Sequence, residues 1–433
     1  MMSNIPKLRF PEFSGEWEEK NFYEVFDILQ NNTFSRDQLN NENGFVRNIH
    51  YGDVLIKYGD YIDCQKEELP FINLENNLSK YEDTSYVKNG DIIIADTAED
   101  YTAGKVTEIC NVKDYKILSG LHTFLCRTKF EFASKFLGYK LNSSSYHNQI
   151  APLVAGTKVY SINRKAIGET TITYPSKAEQ QKIADFLSNV DSIITAETKI
   201  QNALQKKKKA LMQKLFTRQL RFKSDDGTDF PTWKEKKFSE VFIYHQTNTF
   251  SRNMLNYEEG DTYNIHYGDI LVKFGSYIDF DNSKIPFINS DVTLNKFVSD
   301  SFLKDGDIII ADTAEDESAG KVSEVYNINN KKALSGLHTI LCRPKQIFAS
   351  KYLGYFMNSN VYHKQIVKLL VGTKVLSINK SVIADTIIQI PCLAEQQKIA
   401  DCLSSLDSLI QNQQKVVTTW QQRKKALLQQ MFI

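Results

Sequence analysis

NIHYGDVLIKYGDYID at residues 48–63 returns as NIHYGDILVKFGSYID at residues 264–279, a constant offset of 216 residues. The register holds without a gap from FSR at 34–36 and 250–252 to KKAL at 208–211 and 424–427. A period this long far exceeds the roughly 20–50 residues of solenoids and propellers, so each copy is a domain-sized unit with its own core. Residues 27–176 agree with 243–392 at 83 of 150 positions, so the globular parts are as alike as the tails that follow them. The chain is built as a pseudo-dimer, and such a design implies a target with two halves.

With 433 residues, 42% of them hydrophobic, the chain can bury two cores. MMSNIPKLRFPEF at the start has no signal-like apolar run, and no window approaches about 18 consecutive apolar residues, so no membrane association and a cytoplasmic location are expected. Six scattered cysteines form no CxxC pair, which argues against a disulfide framework or a structural zinc. A net charge of +1 does not by itself suggest a polyanion partner.

Each copy divides into a strand-and-loop part and a helical part. Short apolar or β-branched runs read as strands, namely DVLI at 53–56, DIIIA at 91–95, residues 124–126 and residues 166–174. The YGD and NGD turns are expected to launch core strands, and FASKFLGYKLNSSSYHNQI at 132–150 has the spacing of one helix. From Ser176 through Phe216 there is no Gly or Pro, and Ile183, Leu187, Val190, Ile194, Leu204, Leu211 and Leu215 form a coiled-coil seam interrupted by Glu197, Gln201 and Lys208. Ile399, Leu403, Leu406, Ile410, Val417, Trp420, Leu427 and Met431 repeat the seam. Each helix alone would expose its stripe, so the two are expected to pair; about 40 residues correspond to roughly 60 Å of helix. The expected division is 1–176, a first globular domain; 177–217, a first long helix; 218–392, a second globular domain; and 393–433, a second long helix.

GTKVYSIN, the strand-like TITYP and AEQQKIADFLS, in that order, resemble the junction between recognition domain and helix in the specificity subunits of Type I restriction-modification enzymes. LRFPEFSGEWEEK and DFPTWKEKKFSEV resemble the openings of such domains, although YPSKAEQQ and IPCLAEQQ carry one Pro each where that family commonly has a Pro-rich segment. The resemblance implies two mixed α/β (α+β) domains repeated about a pseudo-twofold axis and separated by two long antiparallel coiled-coil-like helices. It further implies that each domain reads one half of a split site on double-stranded DNA, with half-site centres about one helical turn, roughly 10 bp, apart. Two methyltransferase subunits and restriction-translocase subunits would assemble around the chain. No cofactor is expected in the chain itself; the partners would use S-adenosylmethionine, ATP and Mg.

Groove reading needs Arg or Lys for guanine, Asn or Gln for adenine, and apolar groups for the thymine methyl. NTFSR offers Asn32 and Arg36, then Asn248 and Arg252; NIHYGD offers His50, Tyr51 and the following Lys57, then His266, Tyr267 and Lys273. LSGLHT adds His122 and His338, and AGTKV and VGTKV put Thr157, Lys158, Thr373 and Lys374 after a glycine where backbone can approach phosphate. The competing reading makes the histidines turn hydrogen-bonders and Arg36 and Arg252 solvated. AEDYTAGK and AEDESAGK contain Asp96, Glu99, Asp100 and Lys105, then Asp312, Glu315, Asp316 and Lys321. Their spacing lacks the D…(D/E)xK pattern of metal-dependent nucleases, so Lys105 and Lys321 are assigned to a DNA-facing or partner-facing loop. Basic runs at 206–209 and 423–425 suit phosphate attraction or a solvated helix face. No Gly-rich cofactor loop, (N/D)PP(Y/F) or Walker A motif occurs, so a non-catalytic reader is expected. Its rival is a tandem protein-interaction scaffold. The likeness of the copies implies a near-palindromic target, with Arg47/Tyr263, Asp60/Ser276 and Lys113/Asn329 as differences able to alter a base.

Overall fold

The computed structural model describes residues 4–156 and 158–433. It separates into two compact units, one running to Thr198 and completed by Lys415–Ile433, the other Lys199–Gln414. Both boundaries fall inside the long helices Lys177–Phe216 and Leu393–Met431, so each unit combines one globular part with a stretch of each helix.

In the first unit a five-stranded sheet runs in the order Phe26–Leu29, Thr123–Thr128, Ile92–Ala95, Val106–Cys110, Tyr61–Asp63. Its pairings are antiparallel except the last, which is parallel. The run DIIIA is apolar without alternation because both faces of its strand are covered. Ile92 and Ile94 point into a core with Val106, Phe136, Leu137, Tyr139 and Tyr146, while Ile93 and Ala95 join Ile49, Val54, Ile62 and Leu125 on the other side. The second unit repeats the order with Phe242–His245, Thr339–Pro344, Ile308–Ala311, Val322–Tyr326 and Tyr277–Asp279. A four-stranded sheet in the first unit orders Ile117–Ser119, Arg47–Ile49, Phe71–Ile72 and Leu39–Asn40.

Two local expectations are corrected. DVLI is not a strand: Tyr51–Ile56 is a helix, capped by His50, whose Nδ1 accepts from the Gly52 amide (3.2 Å), with Asp53 in the first turn. Only Val54 of the helix is buried and Ile56 is exposed, so three apolar letters were too few to separate the two periods. The single helix over 132–150 is two, Phe136–Leu141 and Ser144–Ile150. Asn142 breaks the run by pairing its side chain with both backbone groups of Val106 (3.0 and 2.8 Å), and Ser143 returns its hydroxyl to the Lys140 carbonyl (2.6 Å). Likewise, within residues 166–174 only Thr171–Tyr174 is strand, following the helix Arg164–Ile167.

The start of each long helix is fixed by buried polar groups. Glu179 receives Arg9 in a bidentate pair (2.7 and 2.8 Å), and Glu395 receives Arg221 likewise (2.9 and 2.7 Å). Gln180 accepts from the Ala133 amide (3.0 Å) and donates to the Pro175 carbonyl (2.8 Å), and Gln396 repeats this with Ala349 and Pro391. The EQ pair therefore ties the helix to the sheet domain through a bidentate carboxylate–guanidinium pair and two amide hydrogen bonds. Within each unit the helical stretches run antiparallel. Ile183 and Leu187 share a core with Met431 and Phe432 in the first unit, and Leu215 and Phe216 with Ile399 and Leu403 in the second.

Further along, Lys424 lies between Asp60 (2.6 Å) and Asp191 (2.5 Å), with Tyr139 donating its hydroxyl to Asp191 (2.6 Å). In the second unit Lys208 meets Asp407 (2.5 Å) and Tyr355 donates to Asp407 (2.6 Å), but Ser276 stands where the first unit has Asp60. Burial alone would lower the Lys424 pKa, and the two carboxylates more than reverse this.

Candidate nucleic-acid interface

Residues 34–36, 50–53, 96–101, 120–122 and 158–161 form one patch in the first unit, held by a few short-range contacts. Arg36 opens a short 3-10 turn and lays its guanidinium on Asp53 (2.9 to 3.1 Å), yet more than half of its side chain remains exposed. The pair fixes a cation on the surface in one orientation, with donors left for a ligand. The His50 and Tyr51 rings lie 4.6 Å apart, and Tyr51 meets the edge of His122 at 5.3 Å. His122 adopts a left-handed backbone (φ 53°), places Nδ1 3.3 Å from Asp96, and is half exposed. Asp96 also accepts from Thr97 (2.7 Å), and Thr97–Ala98 pairs antiparallel with Tyr160–Ser161, which brings the AGTKV turn alongside. A non-glycine residue held at positive φ in both copies is stored strain of the kind found at working surfaces.

The second unit repeats the arginine, histidine and tyrosine contacts of the patch. Arg252 lies on Asp269 (2.9 and 3.1 Å), His266 and Tyr267 are 4.6 Å apart, Tyr267 and His338 are 5.3 Å apart, and His338 has φ 52°. Gly156 and Gly372 have φ of 141° and 136°, and a Cβ there would lie 1.9 Å from the carbonyl oxygen of Val159 or Val375. Only glycine closes this turn, which leaves Lys158, Thr373 and Lys374 exposed at its tip. Thr157 lies outside the described residues.

Several sequence candidates take other positions. Asn32 and Asn248 are buried: Asn32 donates to Asn48 (2.6 Å) and the Ser119 carbonyl (2.8 Å) and accepts from the Phe34 amide (3.1 Å), and Asn248 repeats the first and last of these contacts. Their amides shape the loop that carries Arg36 and Arg252 instead of reaching outward. His50 and His266 are also largely buried as helix caps. Burial and the adjacent arginine lower both pKa values, His266 to about 4, so these rings are neutral at pH 7. Lys105 donates to the Leu55 carbonyl and Lys321 to the Leu271 carbonyl (2.7 Å each), closing the C-terminal end of the preceding short helix. Burial lowers both of their pKa values. Lys57 donates to the Glu68 carbonyl (2.7 Å) and Lys273 to the Tyr257 hydroxyl (2.8 Å).

The residues sequence reasoning missed are Asp53 and Asp269, Thr97 and Thr313, and a tilted ring pair, the exposed Tyr101 against the half-buried Tyr160, with centroids 4.6 Å apart. An exposed tyrosine in a loop ending in Ala-Gly was the available signal for the last of these. Asp100 is held by the Thr102 hydroxyl and amide, which lower its pKa. Among the described residues, no group of three or more His, Cys, Asp or Glu is placed to hold a metal ion.

The patch therefore presents fixed guanidinium, imidazole, hydroxyl and aromatic groups twice per chain, the side-chain types that read base edges and grip phosphate. The family described as Type I restriction modification DNA specificity domain matches residues 14–206 and again 231–419. The chain belongs to that family. Among relatives of this specificity family, the Type I restriction enzyme MjaVIII specificity subunit of Methanocaldococcus jannaschii is 25% identical over 407 residues, covering 86% of this chain and 90% of the relative. The putative MjaX specificity subunit of the same organism is 24% identical over 443 residues, covering 98% and 95%. The fold is similar to a crystal structure of a Type I restriction-modification S subunit from M. genitalium, with TM-score 0.52 and 16% identity over 99% of both chains. It is also similar to a structure concerned with assembly and conformational transition of the type I R-M system, with TM-score 0.55 and 16% identity over 96% of this chain and 97% of that one. As a specificity subunit with two DNA specificity domains, the chain is a non-catalytic recognition component of a restriction-modification system. Among the described residues no helix is long and apolar enough to cross a membrane.

Proposed function

We propose that each unit reads one half of a split, near-palindromic site on double-stranded DNA through the Arg36/Tyr51/His122/Lys158 patch and its Arg252/Tyr267/His338/Lys374 counterpart. Thr373 belongs to the same turn as Lys374. The observation that carries this reading is the recurrence of the same arginine, tyrosine, histidine and lysine patch at an offset of 216 residues, once in each of the two units. Two readers of one design take two similar half-sites, in an inverted arrangement. Arg36 and Arg252, each oriented by a carboxylate, are assigned to guanine or phosphate; Lys158 and Lys374 are assigned to phosphate.

In this reading the chain works in the cytoplasm with two methyltransferase subunits, which use S-adenosylmethionine, and with restriction-translocase subunits, which use ATP and Mg. The partners carry out adenine methylation and cleavage at the site this chain selects. Methylome sequencing of a methylation-free host, with the methyltransferase alone and with the methyltransferase plus this chain, tests the proposal. A bipartite N6-methyladenine motif with related inverted halves, present only with this chain, supports it. Unrelated halves overturn the near-palindrome, and a formed complex without any motif favours a protein scaffold.

A further inference from the structure

Two breaks in the repeat fall next to the patch residues. DIIIADTAED is identical at 91–100 and 307–316, and the identity ends at Tyr101 against Glu317. GTKV is identical at 156–159 and 372–375, SIN at 161–163 and 377–379, and the one residue between them is Tyr160 in the first copy and Leu376 in the second. The structure brings these two breaks together. In the first unit Tyr160 pairs in a strand with Ala98 and its ring lies 4.6 Å from that of Tyr101, which is 75% exposed. In the second, Leu376 pairs with Ala314, the Glu317 side chain is exposed, and its carboxylate has no hydrogen bond or ion pair among the described residues. Both pairs sit one strand step from the threonine, Thr97 or Thr313, that lies beside His122 or His338.

We propose that this double exchange sets the base at which the two half-sites differ: thymine in the half read by the first unit, cytosine in the half read by the second. The inference rests on the DNA-reading assignment above. The exposed Tyr101 ring, backed by the half-buried Tyr160 ring, offers an apolar face of the kind that contacts the C5-methyl of thymine in the major groove. A carboxylate at a DNA surface repels phosphate, and what favours it there is an amino donor; the N4 amino group of cytosine is such a donor, and Leu376 replaces the ring that would otherwise occupy the space. Tyr101 and Glu317 thus impose opposite requirements through the same loop: one needs a methyl group, the other a hydrogen-bond donor.

The three differences most visible in the sequence do not compete for this role. Asp60 is held by Lys424 (2.6 Å). The Arg47 guanidinium lies between the rings of Phe71 and Tyr115 (4.9 and 4.4 Å), and Tyr263 packs on Phe287 and Phe280 (4.3 and 6.0 Å). Lys113 and Asn329 occupy left-handed positions of a turn (φ 46° and 49°), where the Asn329 side chain faces Asp281.

The test is methylome sequencing of the full chain with its methyltransferase, comparing the unsubstituted protein with Tyr101→Glu/Tyr160→Leu, the reciprocal Glu317→Tyr/Leu376→Tyr, and Tyr101→Phe/Tyr160→Phe. The unsubstituted motif is expected to have related halves that differ at a thymine/cytosine position. Tyr101→Glu/Tyr160→Leu should move that position of the first half from thymine to cytosine with about tenfold or greater change in preference, the size of one good base contact. The reciprocal variant should do the reverse in the second half, and the phenylalanine variant should keep thymine. An intact motif whose base does not change in either exchanged chain overturns this inference alone. Unrelated halves, or no motif, in the unsubstituted complex overturn both it and the reading beneath it. Should one exchanged chain fail to assemble, the other decides.

Discussion

Replacing Lys424 by methionine is expected to destabilise the first unit far more than Lys208→Met destabilises the second, although the two lysines are equivalent by sequence. Lys424 serves two carboxylates, at 2.6 and 2.5 Å, whereas Lys208 serves one at 2.5 Å. All the participants are mostly buried, with side-chain exposures of 18%, 12% and 24% for Lys424, Asp60 and Asp191. At an effective dielectric of about 20 each contact attracts by roughly 6 kcal/mol before desolvation is subtracted. Removing one partner of such a buried arrangement typically costs roughly 3–5 kcal/mol, because the remaining charges are left uncompensated. Lys208→Met leaves a single carboxylate that still accepts from Tyr355 (2.6 Å), so a cost of about 1–3 kcal/mol is expected. Amide hydrogen exchange of Phe136–Leu141 and Tyr352–Met357, measured by mass spectrometry, reports the two units separately. Adding Asp60→Ser to Lys424→Met should recover most of the difference by recreating the second unit's arrangement. Equal costs for the two lysine variants, or no recovery with Asp60→Ser, would refute the reasoning.

Asp53→Asn should weaken DNA binding by the assembled complex several-fold through Arg36, and the Asp53→Asn/Arg36→Ala cycle should be clearly non-additive; additive losses would separate the two residues. Gly156→Ala should reduce binding about tenfold with little change in melting temperature, because the clash lies in an exposed turn; a native affinity would remove that turn from the interface. Burial pushes Glu324 up to about 7, offset only in part by the amides of Gly354 and Lys351, so the folded state holds a proton that the unfolded state releases near its ordinary value of 4.5. Its stability contribution is therefore lost as pH rises from 4.5 to 7, and Glu324→Gln should gain relative to the unsubstituted protein between pH 5 and pH 8; a constant difference in denaturation midpoint would contradict this.

Length and punctuation made the long helices legible: forty residues without Gly or Pro leave little alternative, and Lys177–Phe216 is helical throughout. DIIIA was legible as a strand because an apolar run bounded by turns suits a sheet covered on both faces. DVLI was not, since the cap that makes it helical is the His50 ring, a residue read as a ligand contact. The break at Asn142 depended on Val106, distant in sequence, so local spacing could not reveal it. The candidate patch was legible as a set of loops but not as side-chain directions: NTFSR announces an amide and a guanidinium, and the fold turns the first inward and the second outward. Tyr101 and Tyr160 meet only through the strand pair Thr97–Ala98 with Tyr160–Ser161, which no pattern in either segment declares.

The partition of the chain has a consequence for synthesis on the ribosome. The second unit is one continuous segment, but the core of the first, where Phe432 packs on Trp17 (6.2 Å) and Phe136 (5.8 Å), waits for residues 415–433. The 216 residues of the second unit must be made in between, and at about 5–20 residues per second the wait is roughly 10–40 s. Although earlier in sequence, the first unit is then expected to finish later, passing that interval with part of its apolar surface open to chaperones; protease protection of stalled nascent chains, appearing for the second unit before the first, would register the order.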